Sequence, residues 1–196
     1  MDIAFFDFDG TVTTKDSMVD FIQYAIGKRK YYLGLIFLSK TLIAYKLKLI
    51  SNHIAKERLI SHYFKDWDTS KFKTIANQYS LEKIDTITRD SAIKKIKWHQ
   101  QNKHKVVIVS ASIDVWLEAW CKKNDITLIA TQLKIKNNKL TGEFDSKNCY
   151  GIEKVSRIKE VFDLNLYKRI YVYGDSSGDK EMLAIASERF YKLFRD

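Results

Sequence analysis

Asp7 and Asp9 stand one residue apart at the end of an apolar run, Ile3-Ala4-Phe5-Phe6, and Gly10 follows them directly. The run has the character of a buried strand, and the glycine lets the chain turn out of it. Both carboxylates therefore leave a sheet at its carboxyl end, where open α/β folds place their ligands. Two acids crowded at one spot repel unless a cation joins them or one of them keeps a proton. A carboxylate nucleophile beside a carboxylic acid, with a divalent cation between protein and phosphate, uses both options. That chemistry is phosphoryl transfer through an aspartyl-phosphate. A capped turn or a calcium loop would use the same residue types. The EF-hand form of the latter fails, because the Asp-x-Asp-x-Asp-Gly ladder and its distant Glu are absent.

Three further pieces follow in order. Val106 to Val109 form a β-branched apolar run that ends in Ser110-Ala111-Ser112, ahead of a helical pattern over residues 113 to 123. Small hydroxylic residues between strand and helix offer backbone N–H groups and an Oγ to a phosphate, although a serine there is also a common helix cap. Lys154 falls in the first turn of a helical stretch over residues 153 to 164, where the helix dipole disfavours a cation. Neutralising phosphoryl oxygens would give it a reason to be there; plain solvation is the alternative. Arg169 to Tyr173 make another strand, which empties into Gly174-Asp175-Ser176-Ser177-Gly178-Asp179 and a helix. Magnesium is small, hard and held by few carboxylates plus water, and Asp7 with Asp175 from adjacent strands suits that demand.

Taken together, Asp7/Asp9, Ser110, Lys154 and Asp175/Asp179 resemble, in order, the four motifs of the haloacid dehalogenase superfamily. The nearest likeness is to its phosphoserine-phosphatase-like branch, in which a helical cap is inserted between the first two motifs. The resemblance covers essentially the whole chain, and implies a doubly wound, mostly parallel α/β (Rossmann-like) core made of residues 1–11 plus 104–196. The α-helical bundle cap would span residues 12–103. It further implies a Mg2+-dependent phosphomonoester hydrolase. In it Asp7 is the nucleophile and Asp9 the general acid and base, while Ser110, the N–H of Ala111 and Lys154 grip the phosphoryl group. Asp7, Asp175 and the main-chain carbonyl of Asp9 would hold the metal, and Asp179 would orient metal waters or Lys154. Asp9 itself argues for phosphate esters over haloacids. In that branch a glutamate nine residues beyond the nucleophile reads the substrate amine; this chain has Asp16 there, one methylene shorter, which puts phosphoserine itself in doubt. Arg58 is the loosely matched candidate for a substrate carboxylate or second phosphate.

The elements expected to position these groups alternate as strand and helix, which argues for a parallel sheet with right-handed crossovers. Strands are expected over residues 2–8, 105–110, 127–131, 169–174 and 190–194. Helices are expected over 16–27, 31–50, 52–64, 69–80, 85–101, 153–163 and 179–187. Residues 132–145 alternate around Asn137-Asn138 and predict a hairpin.

The chain has 196 residues, enough for one core with an insert. Two cysteines, Cys121 and Cys149, without metal or redox spacing, and no signal-like start, make reduced thiols in the cytoplasm the expectation. Residues 12–103 carry 18 Lys and Arg against 8 Asp and Glu, and so hold the entire net charge of +10. That is either a solvated lysine-rich surface or a positive lid drawing in a small anionic phosphorylated substrate. Nucleic acid is not expected as a partner, since the longest basic cluster is Lys28-Arg29-Lys30. Residues 31–39 are uncharged and residues 42–50 apolar apart from Lys46 and Lys48. With Lys40 between them the stretch is too interrupted to span a bilayer. A bundle-core helix is one explanation. A basic, apolar cap surface in peripheral contact with anionic lipid is the other. Two alternatives to a small-ester phosphatase therefore stay open: a lipid-phosphate phosphatase at the membrane surface, resembling phosphatidylglycerophosphate phosphatases, and a non-catalytic binding protein that kept the fold.

Overall fold

Buried on both faces, β1 (Ile3–Phe6) is the middle strand of the molecule. The computed structural model describes residues 1–195. β2 (Lys105–Ile113) and β3 (Thr127–Thr131) lie to one side of β1, and β6 (Ile170–Gly174) and β7 (Glu188–Tyr191) to the other. All these pairings are parallel, giving one five-stranded sheet in the order β3-β2-β1-β6-β7. A strand covered on both faces needs apolar side chains at every position, which is why β1 shows a continuous run and no alternation. Ile3 and Phe5, with Val107, Val109 and Val172, pack against Val155 and Ile158 of α8 (Ile152–Val161) and Met182 of α9 (Lys180–Ala184). Ala4 and Phe6, with Ile108 and Tyr173, belong to the larger core on the other face. The chain leaves β1 towards β2 on one side and returns to β6 on the other. The carboxyl end of β1 is thus a topological switch point.

Between β1 and β2 the chain forms α1 (Ser17–Ile26), α2 (Lys28–Phe37), α3 (Ser39–Lys46), α4 (Asn52–Phe64), α5 (Thr69–Glu82) and α6 (Asp90–Gln101). The two ends of the excursion touch at an isolated bridge between Thr13 and Thr88. There the Thr14 N–H donates to the Ile87 carbonyl and the Arg89 N–H to the Val12 carbonyl, both at 2.8 Å. α6 lies beyond this neck and packs on β2. The boundary expected at residue 103 therefore falls too late. The periodicity of α6 marks a helix, but its partners are Phe6, whose ring meets His99 edge-on, and Tyr173, whose hydroxyl is 2.9 Å from His99 Nε2. Nothing local to α6 announces that choice.

Two expected helices differ. The single helix over 31–50 is two, broken at Leu38 and finished by Lys48 at φ +58°. The break lets α2 lie on α1 and α3 on α4. Gly34 allows α2 to approach Tyr63, which would lie 2.4 Å from a β-carbon there, and the Tyr63 hydroxyl donates to the Tyr31 carbonyl at 2.6 Å. The stretch is not a bundle core: Tyr31 and Gly34 are buried, but no residue of α3 is, and Ile36 and Phe37 are 68% and 79% exposed. The helix expected over 113–123 is a short turn at Asp114–Trp116 and then α7 (Glu118–Lys123), because β2 stays extended through Ile113, which pairs with Thr131 past an irregularity. At the end of the chain α9 is shorter than expected and β7 comes earlier. The hairpin of β4 (Leu133–Lys136) and β5 (Lys139–Phe144) is as expected. Asn137 and Asn138 both take the left-handed conformation that a two-residue I′ turn requires. The hairpin also ties insert to core: β5 packs on α4, and the Phe144 N–H donates to Glu57 Oε1 at 2.8 Å. Cys121 and Cys149 are free and buried.

Candidate active site

At the carboxyl end of β1 the backbone makes a tight turn over Phe8–Val12, with Gly10 at φ +84°. A β-carbon on Gly10 would sit 2.6 Å from Asp175 Oδ2, so a glycine is needed there both for the conformation and for the space. The turn delivers Asp7, Asp9 and Thr11 to the loop after β6. Thr11 Oγ1 lies 3.3 Å from Asp7 Oδ2 and 3.0 Å from Asp175 Oδ1 and so links the two carboxylates. Oxygens of Asp7, Asp175 and Asp179, all buried, lie within 4.8 Å of one another.

Lys154 reaches this cluster from the first turn of α8. Its side chain is almost wholly buried, and its ammonium donates to Asp7 Oδ1 at 2.5 Å, Asp179 Oδ1 at 2.7 Å and the Val109 carbonyl at 2.8 Å. All three donors are thereby used. A buried cation persists only when paired and hydrogen-bonded in this way. Burial pulls the Lys154 ammonium down, but Asp7 and Asp179 outweigh it and hold the group above its ordinary value. Burial also pushes the Asp7 carboxyl up, to about 7, with Lys154 pulling the other way. The two groups share one proton. We place the shared proton on the nitrogen, which is held by two carboxylates and a carbonyl.

Asp179 is committed to structure. Its Oδ2 accepts from the Asp175 N–H at 3.1 Å, the Ser176 N–H at 2.9 Å and Ser176 Oγ at 2.8 Å, while Oδ1 faces Lys154. It therefore shapes the loop that presents Asp175 and orients the lysine. Asp175 is also touched by the guanidinium of Arg195, from the far end of the chain.

Asp9 sits on the other side of the turn in a cage of hydroxyls. Ser112 Oγ donates to Asp9 Oδ2 at 2.6 Å, the Ser17 N–H to Asp9 Oδ1 at 2.7 Å, and the two serine hydroxyls are 2.8 Å apart. Burial pushes the Asp9 carboxyl up and Asp16 adds to the push, while Ser112 and Ser17 pull it back. Ser110 is fully buried on β2, and its Oγ accepts from the Ser112 N–H at 3.0 Å. Because β2 remains extended, Ser110 and Ala111 do not open a helix, and no helix terminus contributes N–H groups at that point.

The substrate-side candidates fare differently. Asp16 caps α1, accepting from the Val19 N–H at 3.0 Å, and is exposed beside the Asp9 turn. Arg58 is exposed on α4 and makes no hydrogen bond or ion pair among the described residues. The cation that α4 brings to the site is Lys56, whose Nζ donates to the Ala111 carbonyl at 3.0 Å. Lys56, Ser17, Ser112 and Arg195 were not singled out from the sequence. A serine two places after Ser110 was visible in it, but nothing local marked the other three.

The donor set suits a small hard cation. Carboxylate oxygens predominate, no histidine or thiol joins them among the described residues, and Gly10 adds no side chain of its own beside Asp175, where the Arg195 guanidinium lies. Comparisons with known proteins bear on the family and the fold. A model of haloacid dehalogenase-like hydrolases matches residues 4–184. Protein CicA of Caulobacter vibrioides is 32% identical over 192 residues, covering 97% of this chain and 85% of the relative. A probable phosphatase of Mycobacterium tuberculosis is 28% identical over 191 residues, 92% of this chain and 64% of that protein. Among solved structures, a protein of unknown function from Bordetella pertussis Tohama I superposes with a TM-score of 0.83 at 17% identity, covering 95% of this chain and 87% of the other. Substrate-bound phosphoserine phosphatase superposes with a TM-score of 0.68 at 16% identity, covering 97% and 85%. A family match running from the central strand to the last helix, on a sheet of this order, leaves one assignment: the chain belongs to the haloacid dehalogenase-like hydrolases.

Proposed function

We propose that the protein is a Mg2+-dependent phosphomonoester hydrolase that works through an aspartyl-phosphate on Asp7. The observation that carries this reading is the buried Asp7 carboxylate held by Lys154, with the protonatable Asp9 on the same turn and Asp175 across from it. Asp7, Asp175 and the main-chain carbonyl of Asp9 would hold Mg2+, which when bound supplies positive charge to the phosphoryl oxygens.

The chain's own groups account for the rest. Lys154 and Thr11 fix the two oxygens of Asp7, so that the carboxylate is oriented before substrate arrives. An Asp7 oxygen forms the new bond to phosphorus as the ester P–O bond breaks, and Asp9 gives its proton to the departing alkoxide. In the second step Asp9, now ionised, takes a proton from the attacking water. Inorganic phosphate leaves and the Asp7 carboxylate is restored. Phosphoryl transfer has a loose transition state, so placement and electrostatics supply nearly all of the catalysis. The buried Ser110 hydroxyl, the Ala111 N–H and Lys154 would hold the non-bridging oxygens. The substrate we propose is a small phosphorylated metabolite, with Lys56 and Asp16 at the end away from phosphorus. A lipid-borne phosphate ester is the second reading, favoured by the exposed apolar face of α2 and α3.

Release of phosphate from p-nitrophenyl phosphate by the purified chain, with Mg2+ or with chelator, tests the proposal. Activity lost with chelator and lowered at least about 1,000-fold in Asp7→Asn is expected. Full activity in Asp7→Asn, or none from any ester in a broad phosphorylated-metabolite screen with Mg2+, would leave a non-catalytic binding protein as the better account.

A further inference from the structure

We infer that the outer face of α2 and α3 docks the protein on an anionic phospholipid surface. α2 turns Tyr31, Gly34, Leu35 and Leu38 inward at helical spacing, and Leu33, Ile36 and Phe37 outward, as α3 and the turn after it do with Ile43, Leu47 and Leu49. A helix that is apolar on both faces has buried only half of what its sequence offers for burial. Contiguous exposed apolar surface of this kind marks an interaction site.

Charge decides which partner fits. Between Asp20 and Glu57 there is no acidic residue, while Lys28, Arg29, Lys30, Lys40, Lys46 and Lys48 are all exposed around the apolar side chains. A second copy joined through this same face would set cations against cations across a two-fold axis. Anionic lipid head groups meet the cations, and the acyl boundary meets the leucines, isoleucines and phenylalanine, with lysine stems lying along the apolar surface. No helix of the described chain is long and apolar enough to cross a membrane, so the contact is with the surface.

Flotation of the full chain with phosphatidylcholine vesicles, with and without phosphatidylglycerol, tests this without any substrate, and so independently of the esterase reading. Binding is expected only to the anionic vesicles at low salt, with release at high salt. The pair Ile36→Ser and Phe37→Ser, both exposed and therefore tolerable to the fold, should lower the partition coefficient at least about tenfold. Lys40→Gln should lower it roughly fivefold. Should the serine pair fail to fold, Lys40→Gln with Lys48→Gln provides the same readout. The inference is overturned by failure to float with anionic vesicles at low salt, by equal binding to neutral vesicles, or by a dimer in light scattering that the serine pair dissociates.

Discussion

The residues around Asp9 illustrate how hydroxyl groups can hold an acid. Ser112 donates directly to its carboxylate, and Ser17 touches both that oxygen's partner and the second oxygen. Removing Ser112 Oγ would leave Asp9 held at Oδ1 by the Ser17 N–H alone, with Oδ2 no longer fixed. A placement role predicts that Ser112→Ala lowers kcat about tenfold with little change in KM, measured on p-nitrophenyl phosphate. A role in binding substrate would raise KM instead. Lys154 makes a complementary point. In the sequence it is a cation placed against a helix dipole, for which solvation is an alternative explanation. Burial between Asp7 and Asp179 removes the second explanation, since an ammonium is not buried without charged partners.

Helices and strands decide how these residues meet. The neck at Thr13 and Thr88 closes the excursion between β1 and β2, so α6 can return to the sheet and pin His99 between Phe6, Tyr173 and His104. Burial, then the charges of His104 and Lys95, hold the His99 imidazole down to about 3 from an ordinary 6.5. Because the folded value is the lower one, the unfolded chain binds a proton between these limits that the folded chain refuses. Stability contributed by neutral His99 is therefore complete above about 6.5 and lost as the pH falls towards about 3. Urea midpoints should drop from pH 7 to pH 5 in the wild type and drop less in His99→Gln. A second expectation concerns α2. Gly34→Val drives a side chain into the Tyr63 ring and should cost about 1–3 kcal/mol in urea unfolding. An unchanged midpoint would mean that α2 does not approach α4 as closely as the structure places it.

For the molecule as a whole, the proposed metal site would link folding to metal binding. Asp7 lies far along the chain from Asp175 and Asp179, and only folding brings the three together. Mg2+ should therefore raise the melting temperature by mass action in the wild type, and do so far less in Asp175→Asn. Equal stabilisation of both would point to a non-specific salt effect. The charge distribution belongs to this scale too. The surplus of cations lies wholly within residues 12–103. With α6 returned to the sheet, its lysines belong to the core side of the neck, while the exposed cations of α2 and α3 stay on the insert with others such as Lys65 and Lys71.

The sequence alone determined the parallel sheet and which acids leave it at its carboxyl edge, because both are written locally: a buried strand must be apolar, and an acid just past its end must emerge at the sheet edge. It also determined the β4–β5 turn, since two asparagines tolerate the left-handed backbone the turn requires. Only the tertiary structure decided that Thr11 spans Asp7 and Asp175, that Lys56 in place of Arg58 reaches Ala111, and that residues 31–50 break into two helices with one face left in solvent. Those outcomes depend on which surfaces meet across long stretches of chain. Helical periodicity gives a side chain's direction around its own axis, but what stands opposite is fixed by packing.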